Sequence, residues 1–235
     1  MKDQTENFFF GVRMDSVEKE AVFSLIEKKL KDHNSCLKIA TINPEILLKA
    51  EKDNAYKEIL NSFDLNLVDG FGIKLVGFLK NIKTGERIAG ADLAEYVLNI
   101  AKRDNLKIGL VVKRGGLSAK EELAKKIRSI GINELGVIYN DERLEIIKEA
   151  EILLVGLGAP EQEKFIYSNE HIFSELKLAM GVGGTFDYWT GIKKRAPVFM
   201  RRIGLEWLWR FIIQPNRFFR IWNATAVFMW RMFKN

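Results

Sequence analysis

Hydrophobic and polar positions along the chain follow two periods. Short apolar runs at residues 8–12, 37–42, 65–68, 108–112, 135–139, 152–155 and 176–180 have the length and abrupt ends of strands. Between them, apolar residues recur at helical spacing. Residues 16–31 carry Val17, Ala21, Val22, Leu25, Ile26 and Leu30, with Asp15 in place as an N-cap. Pro44 suits the first turn of a helix running through Ile46, Leu47 and Ala50. The spacing predicts further helices over about 71–80, 90–104, 118–130, 141–149 and 161–174. Such alternation predicts an α/β fold, a mostly parallel sheet with helices on both faces. No internal repeat or low-complexity linker interrupts it.

Composition narrows the class. A chain of 235 residues makes one large domain, or one domain with an appendage. At 47% apolar and 29% charged residues it buries an ordinary core and is too apolar to be disordered. The single cysteine, Cys36, excludes a disulfide framework and any multi-cysteine metal site. His33 and His171 are the only histidines and lie far apart, so neither a metal nor a cofactor is expected. The first residues carry acids and no apolar core of a signal peptide, and no run of 18 apolar residues exists. A cytoplasmic setting is the expectation.

Charge divides the chain unevenly. The net charge is +6, yet residues 190–235 hold ten Lys or Arg and one acid, Glu206, which leaves the preceding body at −3. The same stretch holds ten of the 26 aromatic residues and four of the five tryptophans. A mildly acidic stretch over residues 1–189 therefore precedes a basic, aromatic end, and the expected division is a catalytic domain over 1–195 with an appendage over 196–235. Such an appendage expects an anionic partner.

Polar and glycine residues gather just after the predicted strands, where open α/β sheets bind ligands. Four clusters fall there: Thr41 to Pro44, Asp69 to Gly72, Gly156 to Glu163, and Gly181 to Asp187. Each can aim backbone N–H groups at an anion, and each can equally be no more than a turn. The dinucleotide fingerprint is absent, as is a P-loop lysine. No Asp-x-Asp pair occurs to hold a divalent metal on a diphosphate, which leaves backbone dipoles and arginines to neutralise one. Asp69 is placed to accept a proton from a hydroxyl nucleophile, or to cap the following helix. Thr41 and Asn43 read either as ligands of substrate hydroxyls or as caps near Pro44. Gln162, in the first turn of a helix, reads on position alone as a solvated residue.

The ordered series Thr41-Ile-Asn-Pro44, Val68-Asp-Gly-x-Gly72, Arg87-Ile-Ala-Gly-Ala-Asp-Leu93, Gly158-Ala-Pro-Glu-Gln-Glu163 and Gly181-Val-Gly-Gly-Thr-Phe-Asp187 continues through Arg195-Ala-Pro197, Gly204-Leu-Glu-Trp-Leu-x-Arg210 and Pro215-x-Arg217-x-x-Arg220. In this it resembles the WecG/TagA/CpsF family of bacterial glycosyltransferases over about residues 8–222. The resemblance implies a Rossmann-like core and an inverting, metal-independent transfer at the inner face of the cell membrane. It implies a UDP-sugar donor and a polyprenyl-diphosphate-linked sugar acceptor. In the TagA-like branch these are UDP-N-acetylmannosamine and undecaprenyl-diphosphate N-acetylglucosamine, joined by a β-1,4 linkage in the wall teichoic acid linkage unit. By the same resemblance Asp69 is the general base, and Thr41, Asn43 and Gln162 belong to the substrate pocket. Arg210, Arg217 and Arg220 match arginines that reach the leaving diphosphate.

Other donors of the same family, N-acetylmannosaminuronic acid, glucose or galactose, stay open for capsule or other surface polysaccharide. A non-enzymatic binder of anionic lipid or nucleic acid is the distant alternative. Nothing in the body suggests base readout, so nucleic acid is not an expected partner. An anionic membrane surface is expected to meet the appendage, and self-association into a homo-oligomer stays open.

Overall fold

The computed structural model describes residues 7–32, 35–198, 200, 209 and 215–234. Six of the predicted apolar runs pair into one sheet: β3 (Leu37–Ile42), β4 (Leu65–Val68), β5 (Ile108–Val112), β6 (Glu134–Tyr139), β7 (Ile152–Gly156) and β8 (Leu178–Gly181). Their order is β4-β3-β8-β7-β5-β6, and every pairing is parallel. Parallel strands need helical crossovers and end up covered on both sides, which is why β4, β5 and β8 are buried along their whole length.

The helices are α1 (Lys19–Lys31), α2 (Pro44–Lys52), α3 (Asn54–Asn61), α4 (Phe71–Leu79), α5 (Gly90–Arg103), α6 (Lys120–Ser129), α7 (Glu161–Asn169), α8 (Thr185–Trp189) and α9 (Pro215–Lys234). They divide between the faces of the sheet. One core packs α1, α5, α6 and Phe186 of α8 against residues such as Ile39, Leu110, Leu154 and Met180. The other packs α2, α3, α4, α7 and α9 against the alternate residues Ala40, Val111, Val155 and Ala179.

Three expectations meet corrections. The run at 8–12 is no single strand but spans the turn of a hairpin, β1 (Asn7–Phe9) with β2 (Val12–Met14), closed by Phe10 and Gly11. Both turn residues have positive φ, 52° and 79°, the geometry of the tight turn that matches strand twist. Asp15 does not cap α1. Its carboxylate accepts from the Asn66 N–H at 2.7 Å and pairs with Arg13, tying the hairpin to β4. The amide at the start of α1, Lys19 N–H, instead donates to Glu86 at 2.8 Å. Residues 141–149 form a single 3-10 turn over Leu144–Ile146. A Cβ at Gly109 would stand 3.0 Å from Ile147, and one at Gly136 would stand 3.0 Å from Ile146. The segment lies flat on glycines of β5 and β6, closer than a helix about 10 Å wide could approach. Two helices, α3 and α8, are not among the expected elements, although Tyr56, Ile59 and Leu60 of α3 stand at helical spacing.

The chain after α8 returns to the body. Ala196 and Met200 are buried, and Arg195 pairs with Asp92 and Glu95 at the start of α5. Trp209 donates its indole N–H to the carbonyl of Lys194. Helix α9 lies across α2 and α4. It buries Phe228 against Phe9 and Phe10, the latter edge-on at 5.7 Å, and pairs Arg231 with Glu51. No helix among the described residues is long and apolar enough to cross a membrane.

Candidate active site

The four polar clusters follow β3, β4, β7 and β8, and these are four consecutive strands of the sheet. At the β3/β8 boundary the helices leave in opposite directions. Helix α2, after β3, packs on one face, while Phe186 of α8, after β8, packs on the other. This is a topological switch point, where strand ends part and open a crevice at their carboxyl edge.

Asp69 stands at the rim, one residue past β4, with its backbone N–H bonded to the Ile42 carbonyl at 2.9 Å. Its Oδ2 accepts from the N–H of Gly90, the first residue of α5, at 3.2 Å, which fixes the orientation of the carboxylate. Arg87 Nε donates to the Asp69 carbonyl at 3.0 Å. Thr41 faces the same helix start: a Cβ at Gly90 would meet Thr41 Oγ1 at 2.6 Å, so glycine alone permits this approach. A Cβ at Gly70 would meet Pro44 at 2.5 Å and Asn43 Cα at 3.3 Å. Thr41, Asn43 and Asp69 are thus drawn together through two glycine contacts. Asn43 also caps α2, its Oδ1 accepting from Ile46 N–H at 3.1 Å.

Gln162, in the first turn of α7 after β7, is buried, unlike the solvated residue its position suggests. Its Oε1 accepts from Gly158 N–H at 3.2 Å and Gly183 N–H at 3.0 Å, joining the loops after β7 and β8. Its Nε2 donates to Glu163 at 2.6 Å. Glu163 is wholly buried, and its second oxygen accepts from the Tyr56 hydroxyl at 2.9 Å. Burial pushes the Glu163 carboxyl up from its ordinary range, against the opposing pull of Gln162, Tyr56 and the charge of Lys49. Burial likewise raises the Tyr56 phenol, with the Glu163 charge adding to it. At the end of the last cluster, Asp187 accepts from Ser118 Oγ at 2.8 Å and pairs with Lys193, anchoring α8 to the loop after β5.

Of the tail arginines, Arg210 lies outside the described residues. Arg217 and Arg220 lie on the backbone of α9, and their side chains are outside the description. Among the described residues, Arg195 pairs with Asp92 in the first turn of α5, and a Cβ at Gly72, three residues past Asp69, would meet Thr225 of α9 at 2.8 Å. Arg87, Glu163 and Tyr56 had no role assigned from the sequence. Arg87 and Glu163 stood inside the quoted motifs, so the motif was the only available signal. Tyr56 lies on α3, where its spacing with Ile59 and Leu60 signals a buried face but not its partner Glu163.

The six-stranded parallel sheet covered by helices on both faces places the protein in the Rossmann-like α/β class, with Asp69 and two glycine loops at its switch point. Comparison with known proteins makes it specific. Residues 7–235 match the model of the glycosyl transferase WecG/TagA/CpsF family, and the chain belongs to that family and is a glycosyltransferase. It is similar to the N-acetylglucosaminyldiphosphoundecaprenol N-acetyl-beta-D-mannosaminyltransferase of Bacillus subtilis (strain 168), 34% identical over 83% of this chain and 79% of the relative. The protein of that name from Bacillus spizizenii is 32% identical over 89% of this chain and 84% of its own length. That from Staphylococcus aureus (strain MRSA252) is 31% identical over 83% and 79%.

Proposed function

We propose that this enzyme moves N-acetylmannosamine from UDP-N-acetylmannosamine to the 4-hydroxyl of N-acetylglucosamine on undecaprenyl diphosphate, with inversion and without a metal, in making the wall teichoic acid linkage unit. The observation that carries this reading is the convergence of Asp69, Thr41 and Asn43 at the switch point, in a chain whose relatives are named for N-acetylmannosaminyl transfer to N-acetylglucosaminyldiphosphoundecaprenol. In a single displacement the acceptor oxygen attacks the anomeric carbon as the bond to the UDP oxygen breaks. Asp69 takes the hydroxyl proton on the acceptor side. Thr41 and Asn43 hold sugar hydroxyls, and the Gln162 clamp keeps the two glycine loops in shape around the donor.

UDP departs as an anion. With no Asp-x-Asp pair in the sequence, cationic groups meet that charge, and Arg210, Arg217 and Arg220 are assigned to it. Support comes from the contacts of Arg195 with the first turn of α5 and of α9 with α4, the two helices that begin beside Asp69. Residues 196–235 then complete the site and rest on the anionic inner face of the membrane, where the acceptor resides.

UDP release measured across UDP-N-acetylmannosamine, UDP-N-acetylmannosaminuronic acid, UDP-glucose and UDP-galactose, with one synthetic lipid-diphosphate acceptor, tests donor and metal together. The expected result is turnover with the first donor that survives excess EDTA. Preference for another donor overturns the sugar assignment, and loss with EDTA rescued by magnesium overturns the leaving-group account.

A further inference from the structure

Helix α4 is apolar all round. Gly72, Ile73, Val76 and Gly77 form its buried face, whereas Phe71, Leu75, Phe78 and Leu79, at spacings of three, four, seven and eight residues, form the outward one. Phe78 is 83% exposed and Phe71 60% exposed. The one charged residue of the helix, Lys74, is turned to the carbonyl of Gly85. A surface helix normally spends its outward face on charge; this one spends it on phenylalanine and leucine.

The neighbouring helix continues the patch. On α9, Trp222, Trp230 and Phe233 point outward at spacings of eight and eleven residues while Phe228 and Met232 point into the core. Contact between Gly72 and Thr225 joins the two helices near one end, and Lys80 Nζ over the Phe233 ring at 5.7 Å joins them at the other. Cations fringe the patch: Lys80, over the Phe233 ring, and Lys234, over the Trp230 ring at 5.0 Å. Residues 70–85 and 207–235 contain no Asp or Glu.

We infer that α4 is a second membrane-seated element of this enzyme, one that belongs to the catalytic body and dips Phe78 and Leu79 into an anionic bilayer beside α9. The inference rests on the membrane part of the proposed function and extends it from the tail to the body. Charge selects the occupant. A patch fringed by Lys80 and Lys234, on segments without an acidic residue, repels a second copy of itself but complements anionic headgroups, and exposed tryptophans suit the interfacial layer. Position gives the consequence: α4 begins two residues after Asp69, so the seated helix sets the height of the base above the bilayer from which a lipid-linked hydroxyl arrives.

The test compares the intact chain with Phe78→Asp/Leu79→Asp, by flotation with vesicles of phosphatidylcholine alone and of phosphatidylcholine mixed with phosphatidylglycerol. Both side chains are exposed, so the variant should melt with the parent and turn over a short water-soluble acceptor at the parent's rate. Partitioning onto the phosphatidylglycerol vesicles is expected to fall by about tenfold or more. A bimane label on Phe78→Cys should shift its emission to the blue on those vesicles. The native Cys36 competes poorly for the label, since burial pushes its thiol up to about 12. Equal flotation of variant and parent, or no bimane shift, overturns the inference and leaves the tail as the membrane element. A parent that does not float overturns the membrane reading as a whole. A variant that instead converts a dimer to a monomer, with flotation unchanged, identifies a second copy as the occupant and also overturns it.

Discussion

Asp69 owes its place to three backbone contacts: Ile42 holds its N–H, Arg87 its carbonyl, and Gly90 one oxygen of its carboxylate. Replacing the carboxylate with an amide keeps the shape and removes the proton acceptor. Asp69→Asn is expected to cut kcat by about 10²–10⁴-fold with the melting curve unchanged. Near-full kcat in steady-state UDP release would leave Asp69 as a helix-start contact and put the base elsewhere. At the same scale, Gln162 illustrates what a residue type conceals. A glutamine in a first helical turn is ordinarily solvated, but here two loop amides and a buried glutamate use both ends of its side chain. Three hydrogen bonds of about 0.5–1.5 kcal/mol each are modest singly, yet an unmade one in a buried setting costs more than it gives.

Among the elements, α9 and α4 carry the most information. Helix α9 has apolar residues on two faces, one turned to the body and one to the outside. Phe228, wholly buried against the hairpin, sets its docking. Phe228→Ala should lower stability to denaturant by about 3–5 kcal/mol, the usual cost of emptying a buried phenylalanine site. A loss below about 1 kcal/mol in the same titration would mean that α9 docks only loosely on the body. The elements that differ from expectation have a common cause. Hydrophobic spacing reports which side of a segment is buried, not how close its neighbour comes. Gly109 and Gly136 let the 141–149 segment lie flat, and Phe10-Gly11 split an apolar run into two strands.

For the molecule as a whole, strand order decides the site. Residues 41, 69, 158 and 183 converge because β4, β3, β8 and β7 are neighbours, and helices leave β3 and β8 on opposite faces. The basic tail is assigned to both membrane and active site, and these roles fail differently. Arg217→Ala/Arg220→Ala is expected to reduce turnover of a short water-soluble acceptor by at least about 10²-fold, as loss of preorganised charge at a leaving group does, while much vesicle binding persists. Full activity of the double variant on the soluble acceptor would confine both arginines to the membrane.

From the sequence alone came the alternation of strands and helices, the parallel sheet, the clusters at strand ends and the ordered motifs that carry the family. These are local properties: a period of two or 3.6, a proline at a helix start, a glycine where a turn must bend. Only the tertiary structure decided that Glu86 meets the start of α1 across 67 residues, that Gly90 bridges Thr41 and Asp69, and that Gln162 is buried. Partners of that kind depend on which loops the strand order places side by side. The outward face of α4 was hidden for a different reason. In a helix apolar on every side, periodicity marks no preferred face, and only the packing of Ile73 and Val76 against the body leaves Phe78 and Leu79 pointing away.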